Sequence, residues 1–174
     1  MEVSYGNIKI ISQKLPYQEI NLPQTINQPT VTISPNSTQL SSLIMYDPDS
    51  VKGIFIHWLV INIPKNSTNI NDGTFIKKYY KPSPPPNTGK HRYIFELYYH
   101  ETPLIILPNE NIDYDSASKI LSKNPNATFV KRLVFLSENE NNTQSGGRKY
   151  KNRRRSVRRK IYNKKTKKVY KNRK

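Results

Sequence analysis

The 174-residue chain contains no cysteine, which excludes a disulfide framework and a thiolate metal site. It also has no long apolar run. The longest, Ile54 to Ile63, falls well short of the roughly 20 residues a helix needs to span a bilayer, and His57 and Asn62 interrupt it. The opening Met1-Glu2-Val3-Ser4-Tyr5-Gly6-Asn7 has neither the basic nor the apolar stretch of a secretory signal. These absences lead us to expect an intracellular chain, in a host cytoplasm or a virion interior if the source is viral, neither secreted nor membrane-spanning. The Asn-x-Ser/Thr matches at Asn36, Asn66, Asn126 and Asn141 then read as chance in an Asn-rich sequence.

Acid is missing from one end of the chain. Residues 148–174 hold 16 Lys and Arg with no Asp or Glu, whereas residues 1–147 hold 13 basic and 12 acidic residues. The net charge of +17 therefore belongs almost wholly to the tail. Gln144-Ser145-Gly146-Gly147 is a flexible junction, and beyond it the only aliphatics are Val157, Ile161 and Val169. Such a segment cannot bury enough apolar surface to offset the entropy of ordering it. We expect one domain over residues 1–144 and a disordered Lys/Arg-rich arm over 145–174. Tyr150, Tyr162 and Tyr170 are interleaved with the basic blocks and can stack on bases, so nucleic acid is the first partner expected for Arg148–Lys174. An anionic membrane, at about 1 kcal/mol per basic residue near its surface, and an import receptor remain open.

Strand signals dominate the rest. Thr30-Val31-Thr32-Ile33 is a short β-branched run, and Leu40 to Tyr46 is apolar up to Asp47-Pro48-Asp49. Ile54 to Ile63 is apolar on both alternating faces, the pattern of a central buried strand. Arg92 to Tyr99 and Phe129 to Leu136 complete the set. The prolines between Tyr80 and Gly89 lack donors and predict a stiff loop. Ser116 to Lys123 is the helix candidate, capped by Asp115 or Ser116 and stopped at Asn124-Pro125. The fold class is mostly β and antiparallel, with one or two short helices.

Three segments carry chemistry. His57 sits in an apolar strand, where an imidazole is costly to bury without a partner; the plain alternative is a core histidine bonded to a backbone carbonyl. Alternation from His91 places His91 and Tyr93 on one strand face, side by side and able to donate to an anion, with Arg92 on the other. Gly89 lets backbone approach a ligand just before them. Asp47 ends the Leu40–Tyr46 strand, and an acid near imidazoles keeps them protonated or fixes their tautomer. Arg92 suits a structural pairing with Asp49. Asp47 with two histidines has the groups for acid–base work or for a metal, but no cysteine exists and no serine lies in a nucleophile elbow. We therefore expect no enzymatic activity, no cofactor and no metal.

The order Leu43-Ile44-Met45-Tyr46-Asp47-Pro48-Asp49, then His57-Trp58-Leu59-Val60-Ile61-Asn62-Ile63-Pro64, then Tyr80 through the Pro-rich loop to Gly89-Lys90-His91-Arg92-Tyr93, resembles the phosphatidylethanolamine-binding protein family, which includes the Raf kinase inhibitor proteins and flowering-locus regulators. The resemblance covers roughly residues 25–137. It implies a Greek-key antiparallel β-sandwich and a pocket for phosphate-like anions and phosphoethanolamine head groups. It places Asp47, His57, His91 and Tyr93 in that pocket and gives Asp49 and Arg92 structural positions. This chain departs from the family in having Ser50-Val51 where members often have Ala-Pro. Only seven residues separate Asp49 from His57, and Lys81–Pro86 lacks a glycine. The short link is similar to the compact bacterial and viral members, and the basic arm stands where larger animal members have a C-terminal helix. The implied function is a non-catalytic module binding a phosphate-containing small ligand or phospholipid head group, or a phosphorylated or acidic side chain, and regulatory toward kinases or proteases. The alternatives are a nucleic-acid-associated structural or virion protein acting through its tail, and a phosphohydrolase.

If the tail contacts about six phosphates, affinity for duplex DNA should fall about 10³-fold between 50 and 200 mM salt. Deleting residues 145–174 should abolish retention on a DNA column; unchanged retention would exclude the tail as the nucleic-acid contact.

Overall fold

The computed structural model describes residues 1–139 apart from 12, 37 and 110, so the arm expected at 145–174 lies outside the described residues. Nine strands are described: β1 (Glu2–Tyr5), β2 (Ile8–Lys9), β3 (Gln18–Glu19), β4 (Thr30–Thr32), β5 (Leu40–Asp47), β6 (Phe55–Ile63), β7 (Thr74–Lys77), β8 (His91–His100) and β9 (Ala127–Ser137). Among the described residues a single α-helix, α1 (Tyr114–Ile120), precedes β9. The five runs read as strands in the sequence correspond to β4, β5, β6, β8 and β9. The helix starts two residues earlier than expected, because the cap is Asp113 rather than Asp115 or Ser116: Asp113 Oδ1 accepts the Ser116 N–H at 2.8 Å. β1, β2, β3 and β7 went unread because two to four residues are too few to establish a period of two.

The strands form two sheets. The smaller has the order β2-β1-β4 and the larger β3-β9-β8-β5-β6-β7. Within the larger, β5, β6 and β7 follow one another and β8 returns to lie beside β5, a Greek-key connection. Its pairings are antiparallel except that of β3 with β9, which is parallel. Val3, Tyr5 and Val31 of the small sheet pack against Met45, Trp58, Phe95 and Phe135 of the large one, making the core of a β-sandwich. The other face of the large sheet is also covered: Ile44, Ile61 and Ile94 pack with Ala117 of α1 and with Ile112 and Leu121 beside it. This double coverage is why β5 and β6 are apolar on both alternating faces. The one carboxylate buried on that second face, Glu96, is fully engaged, receiving Tyr46 and Tyr98 hydroxyls at 3.1 and 2.7 Å and Arg132 Nε at 2.7 Å. Among the described residues no helix is long and apolar enough to cross a membrane.

Pairing direction decides where chemistry can gather. β5 runs antiparallel to both neighbours, with Asp47 opposite Phe55 of β6 and Tyr46 opposite Ile94 of β8. The end of β5 and the starts of β6 and β8 therefore meet at one end of the sheet, bringing the three sequence motifs together.

Candidate functional site

The two acids of Asp47-Pro48-Asp49 grip consecutive residues of β8. Asp49 takes both branches of the Arg92 guanidinium, Nε at 2.8 Å and a terminal nitrogen at 2.6 Å, and also the Arg92 backbone N–H at 2.9 Å. That bidentate clamp holds the Asp49 carboxyl below its usual range, as expected for a charge-assisted fork. Asp47 Oδ1 accepts the Asp49 N–H at 2.8 Å in an Asx turn, and its Oδ2 lies 2.7 Å from His91 Nδ1. Arg92 and Asp49 thus fasten the rim, while Asp47 and His91 lie buried beneath it.

On its other side, His91 Nε2 is 2.8 Å from Thr88 Oγ1, and that hydroxyl donates to the Pro85 carbonyl at 2.8 Å. A threonine hydroxyl has one hydrogen, so Thr88 must accept from His91 Nε2–H. The space between His91 Nδ1 and Asp47 Oδ2 then holds one further hydrogen. It sits on the imidazolium opposite a carboxylate or on a carboxylic acid opposite a neutral ring; either way the pair carries no net charge. The turn that presents Thr88 is tight: Asn87 and Gly89 on either side have φ of 64° and 77°, the left-handed region that Asn and Gly tolerate best.

His57 arrives by a different device. Met45 pairs with Trp58 and Tyr46 with Ile56, leaving His57 as the extra residue of a β-bulge. A bulge re-aims a side chain that alternation would place elsewhere. The segment after β7 is pinned to it twice: the Tyr80 N–H donates to the His57 carbonyl at 2.7 Å, and His57 Nδ1–H donates to the Tyr80 carbonyl at 2.8 Å. The plain reading of a histidine bonded to a backbone carbonyl thus describes one ring nitrogen. The ring meets Phe55 and Tyr93 edge-on, with centroids 4.8 and 5.2 Å away. Burial pushes the imidazole down from 6.5 to about 4, opposed by the Tyr80 carbonyl and Asp47 and aided by the Lys77 charge.

An open cleft of about 230 Å³ lies here, bordered by Asp47, His57 and His91 with Phe55, Tyr80 and Ser83 among their neighbours. Tyr93, expected in the same group, is not on the cleft wall but completely buried behind it. It touches His57, and its hydroxyl makes no hydrogen bond of good geometry. Burial and then the Asp47 charge raise its phenol well above the usual range, and the nearby Ser83 backbone N–H acts the other way. The structure thus brings Asp47, His57, His91 and Tyr93 together, but the roles differ from a simple row of donors. Both His91 nitrogens are engaged, and His57 in its neutral form offers an acceptor. Thr88, the Tyr80 carbonyl and Lys77, which is buried with its ammonium 4.6 Å from the Phe55 ring centroid, were not singled out in the sequence. Thr88 was findable, as a hydroxyl beside a glycine three residues before His91. Lys77 gives no such signal. Among the described residues, no three His, Asp or Glu side chains group so as to hold a metal ion.

A family model described as phosphatidylethanolamine-binding protein matches residues 12–130. The 26 kDa secreted antigen of Toxocara canis is 43% identical over 81 residues, which cover 43% of this chain and 30% of that protein. The chain spans less than half the length of the curated relatives it matches. Among solved structures, a carboxypeptidase Y inhibitor complexed with its cognate proteinase superposes with a TM-score of 0.59 at 20% identity, covering 79% of this chain and 81% of that one. A phosphatidylethanolamine-binding protein from Plasmodium falciparum gives 0.58 at 20% identity, covering 79% and 83%. At such identities the likeness is one of fold.

The depressed His57 value has a consequence for stability. Between pH 6.5 and about 4 the unfolded chain binds a proton at this ring that the folded chain refuses, so stability falls as pH falls, by up to about 3 kcal/mol at pH 4. Urea unfolding of His57→Gln should show a shallower loss across that window than the parent chain. Parallel profiles would place the ring in a more polar setting.

Proposed function

The chain belongs to the phosphatidylethanolamine-binding protein family, and from that membership we propose a non-catalytic binding module that holds the phosphate group of a small ligand in the cleft at the ends of β5, β6 and β8. The observation that carries this reading is the cleft itself: the three sequence motifs meet there, the Asp47 carboxyl is bonded to His91 rather than left to repel an anion, and His57 and Ser83 border the opening. The cleft's size suits a head group or a phosphorylated side chain rather than a larger molecule. Ser50 and Lys52 at the rim add donors to the same space.

Binding rather than turnover is supported by the way the acid–base groups are committed. Asp47 has both oxygens bonded and His91 both nitrogens, so neither is poised to activate a serine or a water. A regulatory role toward a protease is supported by a solved structure that shares the fold, a carboxypeptidase Y inhibitor bound to its proteinase.

A second reading gives the basic arm its own partner, nucleic acid or an anionic membrane, because 16 positive charges and no negative ones occupy residues 148–174 while residues 1–147 are nearly neutral. The two readings are compatible, since two weak sites on one chain reinforce each other.

Calorimetric titration with phosphoethanolamine tests the pocket. Lys52→Met, on the cleft wall, should retain the fold and weaken binding about tenfold. Unchanged affinity in that variant would remove the ammonium from the site.

A further inference from the structure

The two pocket histidines stand in opposite hydrogen-bonding states. His91 has nothing left for a visitor, with Nδ1 facing Asp47 at 2.7 Å and Nε2 donating to Thr88 at 2.8 Å. His57 has committed its one hydrogen: Nδ1 lies 2.8 Å from the Tyr80 carbonyl, which can only accept. The tautomer of the neutral ring is thereby fixed, and Nε2 is a bare lone pair. It makes no hydrogen bond within the described residues, and the ring borders the cleft.

We infer that the pocket selects a phosphate group that still carries a hydrogen, namely the monoanion of a phosphomonoester donating its P–OH to His57 Nε2, over the dianion and over a phosphodiester. This rests on the reading of the cleft as a phosphate site. A dianion would set an oxygen lone pair against the nitrogen lone pair, and a diester has no hydrogen to give. The remaining phosphate oxygens find donors in Lys52 and the Ser50 and Ser83 hydroxyls on the cleft wall. Free monoesters and phosphorylated side chains then outrank the head group of an intact phospholipid, which is a diester.

The competing route puts a second proton on the ring. The groups that bear on it are the Tyr80 carbonyl, Asp47 from the end of β5 and the Lys81 carbonyl, which favour the imidazolium, and Lys77 of β7, which opposes it. Lys52 and His91 on the cleft wall and Tyr93 of β8 complete the surroundings. Burial outweighs the favourable contributions, so at neutral pH the hydrogen comes from the ligand.

The test compares methyl phosphate with dimethyl phosphate, a monoanion lacking a P–OH throughout the range used, on the full chain by calorimetry from pH 5 to 8.5. It adds ¹⁵N spectra of the His57 ring, which report the pocket rather than the basic residues 148–174. Methyl phosphate affinity should fall about tenfold per pH unit above the ligand's second ionisation near pH 6. Dimethyl phosphate should bind at least about tenfold more weakly at pH 5.5. In the methyl phosphate complex, His57 should keep its hydrogen on Nδ1 alone. Equal binding of the diester, a flat or rising affinity from pH 6 to 8, or a doubly protonated His57 ring in the complex would overturn the selectivity and leave the phosphate site standing. Binding of neither compound at any pH would overturn both.

Discussion

The pocket depends on one directed chain of hydrogen bonds. The Asp49 N–H donates to Asp47, Asp47 shares a hydrogen with His91, His91 donates to Thr88, and Thr88 donates to the Pro85 carbonyl. Each link fixes the direction of the next, because a carbonyl only accepts and a hydroxyl has one hydrogen to give. The chain ties the end of β5, the start of β8 and the proline-rich turn into one unit. It also cancels the charge of a buried acid, which would otherwise repel an anion in the cleft. A buried network of this kind is favourable only when every member is satisfied. The donors that meet a ligand stand instead on the cleft wall, in Ser50, Lys52 and Ser83.

The sheet supplies the rest. The antiparallel order β8-β5-β6 gathers one strand end and two strand starts at the same edge, and the bulge turns His57 toward Tyr93 instead of leaving it to alternation. Rigidity comes from both faces: an inter-sheet core with Trp58 and Phe95, and an outer layer around α1. Asp49 and Arg92 add an exposed fork at the rim, where solvent weakens its contribution to stability but its geometry still fixes the turn.

Much of this was legible in the residues. The two-faced apolar pattern of Ile54 to Ile63 marks a strand covered on both sides, and His91 and Tyr93 do share a face. The pairing of Arg92 with Asp49 follows from the opposite face and the nearby acid. Short elements were not legible, since Gln18–Glu19 carries no periodic signal and is a strand only because it pairs with Phe135 and Leu136. The bulge at His57 was hidden for a related reason: register is a property of two strands together. Hydrogen-bond direction was hidden more deeply. A sequence shows which groups can donate, and only geometry shows that Tyr80 and Thr88 have already claimed the hydrogens of both histidines.

The most direct measurement is the ¹⁵N ring spectrum of the three histidines in the unliganded full chain at pH 7. The directed chain predicts that His91 carries a hydrogen on Nε2 with another shared between Nδ1 and Asp47, both slow to exchange with water, while His57 carries one on Nδ1 only. A bare Nε2 on His91, or a His57 ring protonated at Nε2 in place of Nδ1, would contradict it.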